Sequence, residues 1–232
     1  MVELFDESNN YGKRLRSSST LKKNAEEVAG NKETELEKMI AIYDHVSQTM
    51  DWDNRYSTYV DESLDKLYKE GTGNSTRDNG EIISIYPIVD QFNHTLALVK
   101  ADGVHYLLDA KNDKRPYNML PSSALNGSGL IIQSKEIDNW VNIVNTVPNS
   151  SVNLITLKVG ADGQVTGNLS AKSSGYFALA ERAVLESEEP KEKIKTSLFV
   201  DQTGLVIDSL STKEAERTEP YQYSIDFSYE NG

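Results

Sequence analysis

The residues able to do chemistry gather in one stretch of this chain, SIYPIVDQFNHTLALVKADGVHYLLDAK, residues 84–111. Two apolar runs, 92–99 and 104–108, flank Lys100-Ala101-Asp102-Gly103. Asp-Gly between β-rich runs signals a two-residue hairpin turn, because both central residues must take positive φ. With that turn Ala101 pairs with Val104, and every opposed pair of residue numbers sums to 205. Leu96 then faces Asp109. His94 lies diagonally from Asp109 on the same face of the sheet, about 7–8 Å away at the backbone. An imidazole and a carboxylate so placed are two members of a nucleophilic triad, in which the Asp fixes the tautomer and the His takes a proton. The same pair also reads as a satisfied structural hydrogen bond.

Other chemistries fit less well. Asp102, His105 and Asp109 do not project together, since Asp102 sits in the turn, and no metal is expected. The segment GTGNSTRDNGE, 71–81, reads as a glycine- and asparagine-rich loop. It lacks the Lys-Ser/Thr ending and the preceding strand of a phosphate-cradling loop, and no cofactor is expected. His45 falls on the polar flank of a helical stripe and reads as a surface residue.

Composition narrows the classes further. At 232 residues, with 38% apolar and 26% charged residues, the chain can bury one or two cores. A net charge of -12 argues against nucleic acid and against an anionic membrane surface. Mean hydropathy is -0.53. The absence of cysteine excludes disulfides, thiolate metal sites and a Cys nucleophile. No apolar run is long enough to span a bilayer, and MVELFDESNN lacks the apolar core of a signal peptide.

The pattern of elements predicts an α+β chain with a boundary in the linker NTVPNSS, giving an N-terminal region 1–145 and a C-terminal region 146–232. Residues 1–18 read as an irregular lead-in. A helix over 20–29 closes at Gly30. Thr34-Glu35-Leu36-Glu37 is a capping-box pattern, opening a helix whose Leu36, Met39, Ile40, Tyr43, Val46 and Met50 share a face. Trp52 reads as a packing residue where the chain leaves that helix. A third helix over 60–68 stops at Gly71. After the central hairpin, 125–129 reads as a turn and 130–132 as a short strand. Beyond the linker the expectation is a hairpin of 152–159 and 164–170 turned at Asp162-Gly163. Helices over 176–185 and 190–200 follow, then strands at 205–210 and 221–229. Tyr221, Tyr223, Ile225, Phe227 and Tyr229 alternate with polar residues. Such a stripe could hold a sugar, but at period two it reads as the inner face of a sheet against the helices. Asn231-Gly232 signals a further turn with no strand after it, so 221–229 is expected to be an open edge able to pair with another chain.

The strings STRDNGEI, YPIVDQFNHTLALV, DGVHYLLDA, the MLP of residues 119–121 and ALNGSGLII resemble the transglutaminase-like superfamily. More narrowly, they resemble a bacterial cell-envelope subgroup in which a transglutaminase-like core lies between β-rich domains of unknown function. The similarity runs from about residue 10 to the C-terminus. It implies a transglutaminase-like core of N-terminal helices and antiparallel sheet over 1–145, followed by a small β-rich domain with two helices. FNH and LLDA match the family's second and third triad members, which assigns those roles to His94 and Asp109. The family's nucleophile is a Cys opening a buried helix. In the subgroup a GNS-like segment opens that helix, a strand follows, and only then comes a segment like STRDNG.

Here Gly73-Asn74-Ser75 runs directly into Thr76-Arg77-Asp78-Asn79-Gly80. The resemblance therefore implies an apparent deletion at 75/76, where the helix and strand expected between the two motifs are missing from the sequence, and a vestigial triad of Ser75, His94 and Asp109. It also implies a fragment of an exported, periplasmic or secreted protein whose signal would lie upstream of Met1. Three readings follow. The chain is an inactive module contacting a protein or glycan of the envelope, a weak Ser-His-Asp acyl-transfer or peptide-hydrolysing enzyme, or a purely structural domain pair. A serine hydroxyl is a far poorer nucleophile than a thiolate, so the inactive module is the expectation.

Overall fold

The computed structural model describes residues 18–56, 63–75, 94–125, 127–131, 140–199 and 204–229. Expectations for the lead-in, Val60, the junction between Ser75 and Thr76, Phe92, Ile132, Val200 and Asn231-Gly232 lie outside the described residues, as does the side chain of Trp52. The fold is α+β and divides into two compact units, residues 1–113 with 117–146, and residues 114–116 with 147–232.

The first unit begins with helices α1, Ser19–Ala29, and α2, Glu35–Thr49. Ser18 caps α1 by accepting the Leu21 N–H at 3.0 Å. The capping box of α2 forms: Thr34 Oγ1 accepts the Glu37 N–H at 3.1 Å, and Glu37 Oε2 accepts the Thr34 N–H at 3.0 Å. The N–H groups of Thr34 and Glu33, which both donate to Glu37 Oε2, hold its carboxyl below the ordinary value. Met39 and Tyr43 are buried, as the apolar stripe requires. Helix α3, Leu64–Glu70, starts later than periodicity alone suggested, because Ser63 caps it through the Lys66 N–H. Its end is Gly71, at φ +66, where a Cβ would stand 3.0 Å from the Thr49 carbonyl oxygen.

Two expectations fail here. Thr72–Ser75 is a strand, β2, pairing parallel with β1, Asp51–Tyr56, rather than a loop. The Asp51 N–H donates to the Gly71 carbonyl at 2.7 Å and starts the ladder. Backbone pairing asks little of side chains, so glycine and asparagine did not prevent it. Strands β3, Ala97–Ala101, and β4, Val104–Leu108, form the central hairpin. Next come β5, Gly127–Leu130, and β6, Trp140–Ile143. Strand β5 begins where a turn was expected. Gly129 faces Val141 within it, and a Cβ there would come within 2.9 Å of Ile143 Cδ1, so the glycine makes room for packing rather than for a turn.

The second unit is one antiparallel sheet of β7, Ser150–Val159; β8, Val165–Ser174; β9, Leu205–Lys213; and β10, Tyr221–Tyr229, in the order β7-β8-β10-β9. Helices α4, Gly175–Leu185, and α5, Pro190–Ser197, contribute Ala178, Leu185 and Ile194 to its core. Tyr221, Tyr223, Ile225 and Phe227 all lie in that core, as their alternation predicted. Strand β10, however, is central. Both its edges are filled, so the expected pairing of 221–229 with another chain is overturned: β8 and β9 already use its hydrogen-bonding groups. Arg182 of α4 is buried beneath the connection between β9 and β10. Its guanidinium donates to the carbonyls of Arg217, Glu216 and Glu219 at 3.0, 2.9 and 3.3 Å, and lies 5.0 Å over the Tyr221 ring. Burial pushes the Tyr221 phenol up to about 12.

Ile225 is fully buried. Ile225→Ala should lower the unfolding free energy by about 2–5 kcal/mol, and Thr34→Ala by only about 1 kcal/mol, in urea titrations. An Ile225→Ala effect no larger than that of Thr34→Ala would contradict this core. Glu181 accepts the Ser173 hydroxyl at 2.9 Å, yet burial raises its carboxyl above the ordinary 4.5. A raised carboxyl favours the folded state fully below its unfolded value and loses that contribution as pH rises through the folded value. Glu181→Gln should therefore gain stability relative to the parent as pH rises from below the ordinary carboxyl value to above the raised one, read as a growing difference in urea midpoints. A constant difference would contradict it.

Candidate functional site

The turn at the tip of the β3–β4 hairpin has Asp102 at φ +49 and Gly103 at φ +80. Both central residues are thus left-handed, as the Asp-Gly signal requires. The register follows: Ala101 pairs with Val104, Val99 with Tyr106 and Ala97 with Leu108. Asp102 also does something no local pattern announced. Its carboxylate accepts the N–H groups of Glu35 and Leu36 at 3.2 Å each, and Glu35 Oε2 accepts the Asp102 N–H at 2.8 Å. The turn thereby supplies acceptors for the unpaired donors of the first turn of α2. The partners are 66 and 67 residues apart in sequence, which hides the contact from any local reading.

At the other end of the hairpin the two candidate residues meet. His94 lies just before β3 and Asp109 just after β4, so both flank the ladder instead of belonging to it. His94 Nε2 and Asp109 Oδ2 are 2.7 Å apart, and their side chains are 11% and 6% exposed. Asp109 Oδ1 accepts the Lys111 N–H at 2.9 Å, and the Asp109 carbonyl accepts the hydroxyl of Tyr43 at 3.0 Å. Tyr43, buried on α2, was readable from sequence only as a core residue; its hydroxyl turns out to hold the strand end that carries Asp109. An ionised carboxylate only accepts, so in that state Nε2 carries the ring proton and Nδ1 is the basic nitrogen. Such a pair can orient a base or simply satisfy two half-buried polar groups.

Ser75 is the last residue of β2, opposite Tyr56, in a different two-stranded sheet from the hairpin. The structure brings His94 and Asp109 together. For Ser75 it fixes the backbone alone, the side chain lying outside the described residues. His45, expected at the surface, is part-exposed, and its Nε2 is 2.7 Å from Tyr68 Oη, joining α2 to α3. His105 pairs with Lys100 and is exposed, and Asp102 is committed to α2. Among the described residues no three His, Asp or Glu side chains could hold a metal ion.

A double-mutant cycle tests whether the dyad acts as a unit. His94→Leu leaves Asp109 Oδ2 without its ring partner, and Asp109→Leu leaves the imidazole without its carboxylate. Each should cost about 1–3 kcal/mol in urea titrations, and the double variant should cost less than the sum. Additive losses would show that the two side chains are not energetically coupled.

No family model matches the sequence, and no curated protein or solved structure matches it either.

Proposed function

We propose that this chain is a non-catalytic transglutaminase-like protein that serves as a binding or structural module of the bacterial cell envelope. The observation that carries the reading is a His94–Asp109 pair at 2.7 Å in a chain with no cysteine. The motif residues that resemble the superfamily include both members of this pair, and the pair has the geometry of a base with its orienting carboxylate. A base without a thiol to deprotonate has no acyl-transfer chemistry of the family's kind to perform. Ser75 is the last residue of a strand, and a serine hydroxyl is a far poorer nucleophile than the thiolate the family uses. The hydrogen bonds that fix Asp109 from Lys111 and Tyr43 then serve to hold the strand ends together. No helix among the described residues is long and apolar enough to cross a membrane, so the module would meet envelope components without a helical span of its own there.

One geometric fact favours a second reading, a weak Ser-His-Asp enzyme: the dyad is already assembled at hydrogen-bonding distance. The two readings separate in one assay. The protein is incubated with a labelled primary amine and a glutamine-containing acceptor, and separately with a serine-reactive phosphonate. The expected outcome is no incorporation and no adduct at Ser75. Labelling of Ser75 that disappears in His94→Ala would establish the enzyme instead. Retention on purified peptidoglycan, with none on an unrelated polysaccharide, is the expected positive result for the module.

A further inference from the structure

We infer that β7 is an assembly edge, onto which a second copy of this chain adds its own β7 antiparallel to form one continuous eight-stranded sheet. Strand β7 pairs with β8 on one side, and among the described residues no strand lies on the other. All ten of its residues are exposed, including Val152, Leu154, Ile155, Leu157 and Val159 at between 54% and 72%. An edge that is long, regular and apolar is a template for another strand.

The hydrogen-bond phase says which groups are on offer. The Gly160 N–H donates to the Gln164 carbonyl at 2.8 Å, closing the hairpin. From there the register runs without a bulge, from Val159 opposite Val165 to Ser150 opposite Ser174. Alternation then points the even-numbered backbone groups of β7 at β8. The N–H and C=O groups of Ser151, Asn153, Ile155, Leu157 and Val159 point outward, over the open edge. The opposite edge of the sheet is handled differently. There Lys191 donates to the carbonyls of Ile207 and Asp208 at 2.9 and 3.0 Å, and a bulge interrupts the ladder at Asp226 and Phe227. Strand β7 has no proline, no bulge and a single lysine, Lys158.

Three features select a second copy as the occupant. The first is symmetry. A two-fold axis normal to the sheet sets residues of like parity opposite one another, so outward groups of one copy meet outward groups of the other. Ile155, Leu157 and Val159 of both copies then share one face, and Val152 and Leu154 share the other. A register centred on Ile155 also sets Lys158 opposite Val152, away from its symmetry mate. The second is charge. The chain carries 36 acidic residues, yet none lies between Asp138 and Asp162, so two copies can bring this edge together without opposing carboxylates. The third is area. Five aliphatic side chains, each more than half exposed, present on the order of 500 Å² per copy, and two copies together reach the ~1,000 Å² at which specific interfaces begin.

Sedimentation velocity across a concentration series of the full chain tests this. The expected result is a mass-action shift to twice the monomer mass, abolished in Ile155→Lys/Leu157→Lys with the urea midpoint unchanged. Both positions are exposed and leave the bonds to β8 intact. Because the chain has no cysteine, a single Ile155→Cys gives a second readout that does not rely on a charged variant. A short bis-maleimide should link Ile155→Cys into dimers, and should not link Ser211→Cys on β9. A monomer at every concentration would overturn the inference, as would a dimer that survives the double lysine variant. Equally, a monomer whose edge is occupied only when an unrelated apolar strand peptide is added would overturn it and assign the edge to peptide capture.

Discussion

The first unit depends on the turn at Asp102 and Gly103. Among the described residues Asp102 is the one non-glycine with positive φ, a conformation that costs roughly 1 kcal/mol or more outside glycine. The cost is offset locally, because the Asp102 carboxylate receives two N–H groups of α2 and the Asp102 N–H is received by Glu35. The two positive φ values set the register of the hairpin, and the register sets everything at its far end. A slip of one residue would turn every side chain of one strand to the opposite face, separating His94 from Asp109. Helix α2 therefore holds the hairpin twice, at the turn through its first N–H groups and at the open end through Tyr43.

The second unit obeys a different constraint. Strand β10 lies between β8 and β9 and buries Tyr221, Tyr223, Ile225 and Phe227 in one row. Close approach of the neighbours leaves no room for a side chain at Gly167, where a Cβ would collide with the Phe227 ring and meet Leu157. Arg182 closes the end of the layer by donating to three carbonyls of the β9–β10 connection. The apolar row and the buried guanidinium divide the work. One supplies burial, and the other directs the β9–β10 connection to a single place.

On the proposed reading, the His94–Asp109 pair is retained because the hairpin and α2 are built around it. Removing either partner would take a short hydrogen bond from the other whether or not a nucleophile stands nearby. A dyad can thus outlast the chemistry that it served. The same logic makes hydrogen-bond geometry a weak guide to activity when the nucleophile is the missing member.

What could be read along the chain was whatever depends on neighbouring residues. The capping box at Thr34 and Glu37, the left-handed stop at Gly71, the Asp-Gly turn and the alternation from Tyr221 to Tyr229 are all short-range matters of backbone conformation and side-chain periodicity. That His94 and Asp109 meet at the open end of the hairpin was legible too, since the turn sets the register by counting, although the ladder stops at Ala97 and Leu108 before reaching either residue. Other features were not legible, because each depends on a partner chosen in space. Nothing in Thr72–Ser75 names Asp51–Tyr56 as its parallel neighbour, and nothing in Tyr221–Tyr229 tells a central strand from an edge. The carboxylate of Asp102 meets α2 only once both are folded. Periodicity reports which face of an element is buried, but the hydrogen-bonding edges of a strand carry no side-chain signature, so tertiary packing alone decided which edges were filled and which, on β7, stayed open among the described residues.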